Sequence, residues 1–142
     1  MKRVLLLLAG VVMCASCCIL RNKKPDYAQT EWVCVSEMFV ADAGTETTTA
    51  TLSFDAKNGF TLEEKSVMPS HPASYVNPDG TIDILPGFTR EYTRQGTYEV
   101  KGDEIILKQA DGTVHTLRLV AGQLESDDLS YQKLVFKKKG KE

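Results

Sequence analysis

The alternation of apolar and polar residues is clearest between residues 95 and 120, where it predicts three β-strands joined by two tight turns. Side chains alternate between the two faces of a strand, so Tyr98 and Val100 share one face. A two-residue turn at Gly102-Asp103 then places Val100 opposite Ile105 on the next strand. The pattern therefore predicts an antiparallel meander with one solvated face and one buried face.

The second turn of this meander, at Asp111-Gly112, decides which side chains point inward. A two-residue loop would place Ile105 opposite Arg118, whereas a three-residue loop, with Gly112 in the left-handed conformation, places Ile105 opposite Leu117. We predict the three-residue loop, because that register collects the apolar side chains on one face. The predicted buried face consists of Tyr98, Val100, Ile105, Leu107, Leu117 and Leu119.

Shorter apolar stretches predict further strands at residues 31–40, 48–56, 60–67, 81–85, 88–93 and 130–137. The inner face of the first strand stays undecided, because residues of both parities are apolar near its start. A three-residue loop at 57–59 is expected to pair Phe54 with Leu62. With no helical period of useful length, the chain is predicted to be all-β, an antiparallel lipocalin-like barrel of about eight strands with meander topology. Such a barrel is either filled by side chains or holds one small ligand.

The composition agrees with one ordinary globular domain, since 42% of the 142 residues are hydrophobic and 25% are charged. The formal net charge is −2 and no basic face is indicated, which argues against nucleic acid as a partner. No Cys-x-x-Cys pair lies in the predicted barrel, so a disulfide framework is not expected. Cys34 is expected to be a small core residue.

The first 16 residues have the form of a bacterial export signal. Lys2 and Arg3 precede an apolar run, residues 4–13, that is too short to span a bilayer. The following Cys14-Ala15-Ser16-Cys17 resembles the lipobox of bacterial lipoproteins, in which the last cysteine is acylated and becomes the new N-terminus. We therefore expect lipidation of Cys17. Lipidation of Cys18, cleavage elsewhere and an uncleaved N-terminus are the alternatives.

This arrangement predicts a lipid-anchored protein of the bacterial cell envelope. Residues 1–16 are the predicted signal peptide, 17–30 the anchor and tether, 31–138 the barrel, and 139–142 a polar tail. The tether lacks the acidic run that marks surface export in some lipoproteins, so the outer membrane, facing the periplasm, is the expected location. The membrane, through the lipid on Cys17, is the first expected partner.

The order of parts resembles the N-terminal domain of the NlpE family of envelope lipoproteins. The matching pieces are the lipobox at Cys17, TATLSFD at 49–55, NGFTL at 58–62, and GTYEVKGDEIIL at 96–107. The resemblance implies a small lipocalin-like barrel and a role in envelope stress sensing or adhesion signalling. The family's Cys-x-x-Cys loop would fall near residues 41–47, which hold no cysteine. The copper or redox chemistry of that motif is therefore not implied for this chain.

Candidate catalytic and metal-binding groups are few. Met68 and His71 could offer soft ligands to copper, but no third ligand lies nearby in the sequence. His115 is expected to be a core or rim residue, because no serine or cysteine partner accompanies it. Glu63 and Glu64 point to opposite faces of a strand, so they form no acid–base pair. We therefore expect no enzyme activity, no metal and no cofactor.

The predicted function is a non-enzymatic binding or interaction module, whose partner is an envelope protein. The alternative is a lipocalin-like carrier of a small apolar ligand. The predicted contact surface is the irregular stretch 68–88, because loops on a rigid sheet commonly carry binding. The same stretch could instead plug one end of the barrel. The candidate binding residues in it are Tyr75, Val76, Ile82, Ile84 and Phe88.

Overall fold

The computed structural model describes residues 26–130 and 132–140, which form ten β-strands. In chain order these are β1 (Thr30–Val40), β2 (Gly44–Phe54), β3 (Gly59–Met68), β4 (His71–Pro72), β5 (Ile84–Leu85), β6 (Phe88–Lys101), β7 (Glu104–Gln109), β8 (Val114–Val120), β9 (Gln123–Ser126) and β10 (Leu134–Lys138). Within these residues no helix is long and apolar enough to cross a membrane. The predicted lipidation site, Cys17, lies outside the described residues.

Eight of the strands form a closed antiparallel barrel in the order β1-β10-β9-β8-β7-β6-β3-β2. Pairing of β1 with β10 at Trp32 and Val33 closes the ring. Strands β4 and β5 pair with each other in a separate two-stranded sheet, and we call residues 69–87, which contain them, the arm. The predicted all-β class and the small lipocalin-like barrel are confirmed, with the arm inserted between β3 and β6.

The register of the central meander agrees with the prediction. Ile105 lies opposite Leu117, and Val100 lies opposite Ile105. Gly112 adopts a φ of 86°, and the Asp111 carboxylate accepts a hydrogen bond from the Thr113 amide at 2.9 Å, which completes the turn. All six residues of the predicted buried face therefore pack into the core.

The predicted loop at 57–59 is wrong by two residues in register. Phe54 lies opposite Phe60, not opposite Leu62, and four residues, 55–58, separate the end of β2 from the start of β3. The Asp55 carboxylate accepts hydrogen bonds from the amides of Lys57 and Gly59, both at 2.7 Å, and this side chain stabilises the longer turn. Because the shift is even, the same side chains still point inward.

Other element boundaries differ from the prediction because pairing partners extend the strands. The predicted strand at 88–93 and the first strand of the meander are one continuous strand, β6, which passes through Gly96. A Cβ atom at Gly96 would lie 2.0 Å from the Lys108 carbonyl oxygen, so the glycine permits the close approach of β7. Strand β9, which pairs with β8 and β10, is not among the predicted strands.

The core fills the half of the barrel in which the first and the last described strand residues, Thr30 and Lys138, lie. In β1 the inward residues are Trp32 and Cys34, which settles the face that the sequence left undecided. Tyr27 is buried at this end against Trp32 and Phe54, with ring centroids 6.2 and 5.8 Å away. Barrel packing therefore begins at Tyr27, inside the segment predicted as tether. We call this the closed end.

The opposite end of the barrel is open because its strands differ in length. Strands β1, β2, β3 and β6 have 11, 11, 10 and 14 residues, whereas β7 to β10 have 6, 7, 4 and 5. Strand β6 pairs with β7 only from Gly96 onward, so its first half has a neighbour on one side only. The four long strands therefore project past the core as a curved sheet. The arm leaves from this open end, between Met68 and Phe88.

Candidate functional site

A cavity of about 690 Å³ lies on the inner face of the projecting sheet and opens to solvent. This volume falls in the range of roughly 300–1,000 Å³ that is typical of small-molecule sites. The strands contribute Ser36, Met38, Glu46, Thr48, Ala50, Glu64, Ser66, Arg90, Tyr92, Thr93 and Arg94. The loop between β9 and β10, with the start of β10, contributes Leu129, Ser130, Gln132 and Leu134.

Polar side chains enter the cavity lining because the inward positions of the long strands change from apolar to polar toward the open end. On β3 the inward residue Leu62 is followed at the same parity by Glu64 and Ser66. On β2 the inward positions change from Leu52 to Thr48 toward the open end. Thr48 and Ser66 lie opposite each other, and their hydroxyl oxygens are 2.7 Å apart. These two hydroxyls hydrogen-bond across the sheet and fix its polar inner face.

An ion pair between Arg94 and Glu64 lies where the core meets the cavity. The Arg94 Nε donates to Glu64 Oε2 at 3.2 Å, and one terminal nitrogen of the guanidinium donates to the same oxygen. The other contact of the guanidinium is the Leu129 carbonyl oxygen, 3.4 and 3.5 Å from its two terminal nitrogens. The side chains are 27% and 13% exposed, so the pair is partly shielded from water. Arg94 thereby joins β6, β3 and the β9–β10 loop.

The rim of the cavity carries two more charged residues, Arg90 and Glu46. The Arg90 guanidinium carbon lies 4.1 Å from the centroid of the Phe88 ring, a cation–π contact. Glu46 has no ion-pair partner among the residues that the structure describes. Tyr92 is 58% exposed, because this part of β6 has no neighbour on one side. The rim thus offers a carboxylate, a guanidinium and an aromatic ring to a ligand.

The wall formed by the β9–β10 loop is fixed by a hydrogen-bond network. The buried hydroxyl of Ser126 donates to the Asp128 carboxylate at 2.8 Å. His115 Nδ1 lies 3.0 Å from the Asp128 carbonyl oxygen, and its Nε2 lies 3.0 Å from Gln109 Nε2. Both ring nitrogens therefore have partners, and His115 acts as a structural rim residue, as the sequence predicted.

The sequence-predicted binding residues lie on the arm or at its base, outside the cavity lining. Tyr75, Val76, Ile82 and Ile84 are exposed on the arm, and Phe88 is half-buried at the start of β6. None of these side chains lines the cavity.

Internal hydrogen bonds hold the shape of the arm. The Tyr75 hydroxyl donates to Asp83 at 3.0 Å, and the Asn77 side-chain amide donates to Asp83 at 3.1 Å. The backbone amide of Ala73 donates to the Asp83 carbonyl at 2.7 Å. The arm is therefore an ordered projection that presents apolar side chains to solvent.

The suggested copper ligands are not arranged as a site. Met68 is buried at the end of β3, and His71 Nδ1 lies 3.2 Å from the Pro69 carbonyl oxygen. Across the described residues, no group of three or more histidine, cysteine or acidic side chains could hold a metal ion. Cys34 is a free, buried thiol whose pKa is raised by burial, consistent with a core role.

Sequence reasoning missed the cavity, although its residues carried a usable pattern. Glu64, Ser66, Arg90 and Arg94 all share the inward parity of their strands, and polar inward positions on neighbouring strands indicate a solvated interior. The apolar positions identify only the core, and the irregular stretch identifies only the arm.

Fold and site together define a small, single-barrel protein with a solvated cavity at one end, a form compatible with a binding module. Comparison with protein-family models, with curated proteins and with solved structures finds no match to this chain.

Proposed function

We propose that this protein is a lipid-anchored, non-enzymatic binding module of the bacterial envelope, and that it binds at the open end of its barrel. The observation that carries the proposal is the difference between the two ends. The closed end is packed with buried side chains, whereas the open end combines an unfilled cavity with an exposed apolar arm. A barrel built only as a rigid spacer has no need of either feature.

The path of the chain supports an outward-facing binding site. The described chain begins beside Tyr27 at the closed end, and β10 finishes at the same end, where Lys138 lies opposite Trp32. A lipid on Cys17 would therefore be joined to the closed end of the barrel through residues 18–25. The cavity and the arm would then face away from the anchoring membrane, toward molecules of the periplasm.

The chemistry of the cavity supports binding without catalysis. Arg94 and Glu64 are engaged with each other, and the hydroxyls of Thr48 and Ser66 are hydrogen-bonded together. In the described part of the chain, no serine or threonine of the lining forms a hydrogen bond with a histidine. No activated nucleophile is therefore indicated. The resemblance to the NlpE family suggests that binding serves envelope stress or adhesion signalling.

The second candidate function is a carrier of a small ligand, and the cavity itself favours it. The residues that line the cavity, however, favour a different class of ligand from the apolar one that the sequence predicted. A purely apolar ligand would remove water from Glu64, Arg94 and several hydroxyls without replacing their hydrogen bonds, which is costly. A polar or amphipathic cargo fits the cavity better than the apolar cargo that the sequence suggested.

The test is site-specific photo-crosslinking in living cells. A photo-reactive amino acid at position 84 on the arm, where Ile84 is 67% exposed, should give a discrete adduct with an envelope component. The matched control is position 120, where Val120 is 44% exposed near the closed end, and it should give none. Deletion of the gene should also alter an envelope-stress reporter. Equal labelling at both positions, or no adduct and an unaltered reporter, would contradict the proposal.

A further inference from the structure

The chemical class of the cavity ligand can be inferred from the groups that line the cavity. Hydroxyls come from three different strands, with Ser36 on β1, Thr48 on β2 and Ser66 on β3. Gln132 adds an amide from the opposite wall, and Ser130 adds another hydroxyl. Hydrogen-bond donors and acceptors therefore surround the space on several sides, which suits a ligand that is itself rich in both.

The charges of the lining balance. Two arginines, Arg90 and Arg94, face two glutamates, Glu46 and Glu64, and no other lining residue carries a full charge. The deeper arginine is already engaged by Glu64 and by the Leu129 carbonyl. A strongly anionic ligand would therefore meet repulsion as well as attraction, and a strongly cationic ligand likewise. The balance favours a ligand without net charge.

The apolar part of the lining consists of Met38, Ala50, Leu129 and Leu134, together with the aromatic Tyr92. The Tyr92 ring is 58% exposed at the open side of β6, beside Glu64 on the neighbouring strand. Sugar rings have apolar C–H faces that pack on aromatic rings, and hydroxyl edges that hydrogen-bond to carboxylates, guanidinium groups and amides. The cavity provides both kinds of contact, and its volume of about 690 Å³ has room for more than one sugar ring.

We propose that the open-end cavity is a binding site for a neutral saccharide, with Tyr92 as the stacking platform and with Arg90, Glu46 and the strand hydroxyls as hydrogen-bond partners. This inference rests on the proposed function as a binding module and adds the ligand class. A direct titration with saccharide and apolar probes distinguishes this proposal from the alternative of an apolar carrier.

The experiment is a titration followed by amide chemical shifts in the mature chain from residue 17, with Cys17→Ser to prevent acylation. The pairing described for the barrel falls within residues 26–140, so this chain contains the whole fold. The neutral probes are maltotriose, cellotriose and triacetylchitotriose. The contrasting probes are sodium decanoate, inorganic phosphate and triglycine, which represent amphiphilic, anionic and zwitterionic ligands.

At least one neutral trisaccharide should shift the amides of Ser36, Thr48, Ser66 and Tyr92, while those of Val100 and Leu119 in the closed half stay unchanged. Tyr92→Ala should weaken this binding about three- to tenfold, the range expected for losing an aromatic contact. The control is Phe39→Ala on β1, because Phe39 is an aromatic residue that is 77% exposed and does not line the cavity, and it should leave the affinity unchanged.

Three outcomes would overturn the saccharide assignment. The first is saturation of the cavity by decanoate, phosphate or triglycine with no response to any trisaccharide. The second is equal weakening by Tyr92→Ala and Phe39→Ala. The third is no response to any probe. In each case the proposed binding module is judged separately, by the photo-crosslinking at position 84.

Discussion

Replacing Arg94 with methionine tests the ion pair that joins the core to the cavity. The substitution keeps much of the side-chain length but removes the guanidinium, which leaves the Glu64 carboxylate, 13% exposed, without the group that now contacts it. Breaking a fully buried pair costs about 3–5 kcal/mol, whereas an exposed pair contributes only about 0.2–1 kcal/mol. Because Arg94 is 27% exposed beside an open cavity, we expect a loss of about 1–3 kcal/mol in the free energy of unfolding.

The double variant Glu64→Leu, Arg94→Met should recover most of that loss, because it leaves no charge unpaired. The assay is urea unfolding at neutral pH. With a denaturant slope of about 1–2 kcal/mol/M, Arg94→Met should lower the midpoint by about 1 M. Lys65→Met is the control, since Lys65 forms an exposed pair with Glu91 on the outer face of the same two strands, and its midpoint should barely change.

A double-mutant cycle gives the decisive comparison for this pair. The free energies of unfolding lost by Glu64→Leu and Arg94→Met are compared with the loss in the double variant. If the two single losses simply add, Arg94 and Glu64 do not interact in solution, and the ion pair described between the core and the cavity does not form. A midpoint shift for Lys65→Met as large as that for Arg94→Met would show that position in the sheet, not burial of the pair, sets the effect.

Three further predictions concern the core, the arm and the anchor. Leu117→Ala should cost about 2–5 kcal/mol in urea unfolding while Thr116→Ala on the outer face costs little, and equal losses would refute the register of the meander. Replacing residues 70–77 with a short Gly-Ser loop should leave the unfolding midpoint of the barrel nearly unchanged, because the arm lines neither core nor cavity; a drop of several kcal/mol would show that it is a plug. Cys17→Ala should abolish incorporation of radiolabelled palmitate, and incorporation that depends on Cys18 instead would place the anchor one residue later.

The core could be predicted from the sequence because two local rules agreed. Strand parity assigned the apolar face, and Gly112 identified a turn residue able to take a positive φ, so Leu117 was correctly placed opposite Ile105. The turn between β2 and β3 escaped the same reasoning because the Asp55 side chain stabilises a longer loop. That error moved the register by two residues and left Phe54 and Phe60 inside.

The cavity could not be predicted because it depends on how far strands extend relative to one another. Polar inward residues such as Ser66 and Arg90 are visible in the sequence, but their enclosure requires β3 and β6 to continue beyond the shorter strands β7 to β10. That relation is set by long-range pairing and not by local pattern. The arm was correctly recognised as irregular, yet its exposure depends on β4 and β5 pairing with each other and with no barrel strand.

The barrel is filled at one end and open at the other, and one pair of substitutions on β1 distinguishes the two ends. Cys34 and Ser36 both point inward, two residues apart, but Cys34 is buried in the core whereas Ser36 lines the cavity. Urea unfolding of Cys34→Phe should show a loss of about 1–3 kcal/mol from overpacking. Ser36→Phe should stay within about 0.5 kcal/mol of the wild-type protein, because the cavity accommodates the ring. Equal and large losses for the two variants would mean that the open end is filled in solution, and the proposed binding site would not exist.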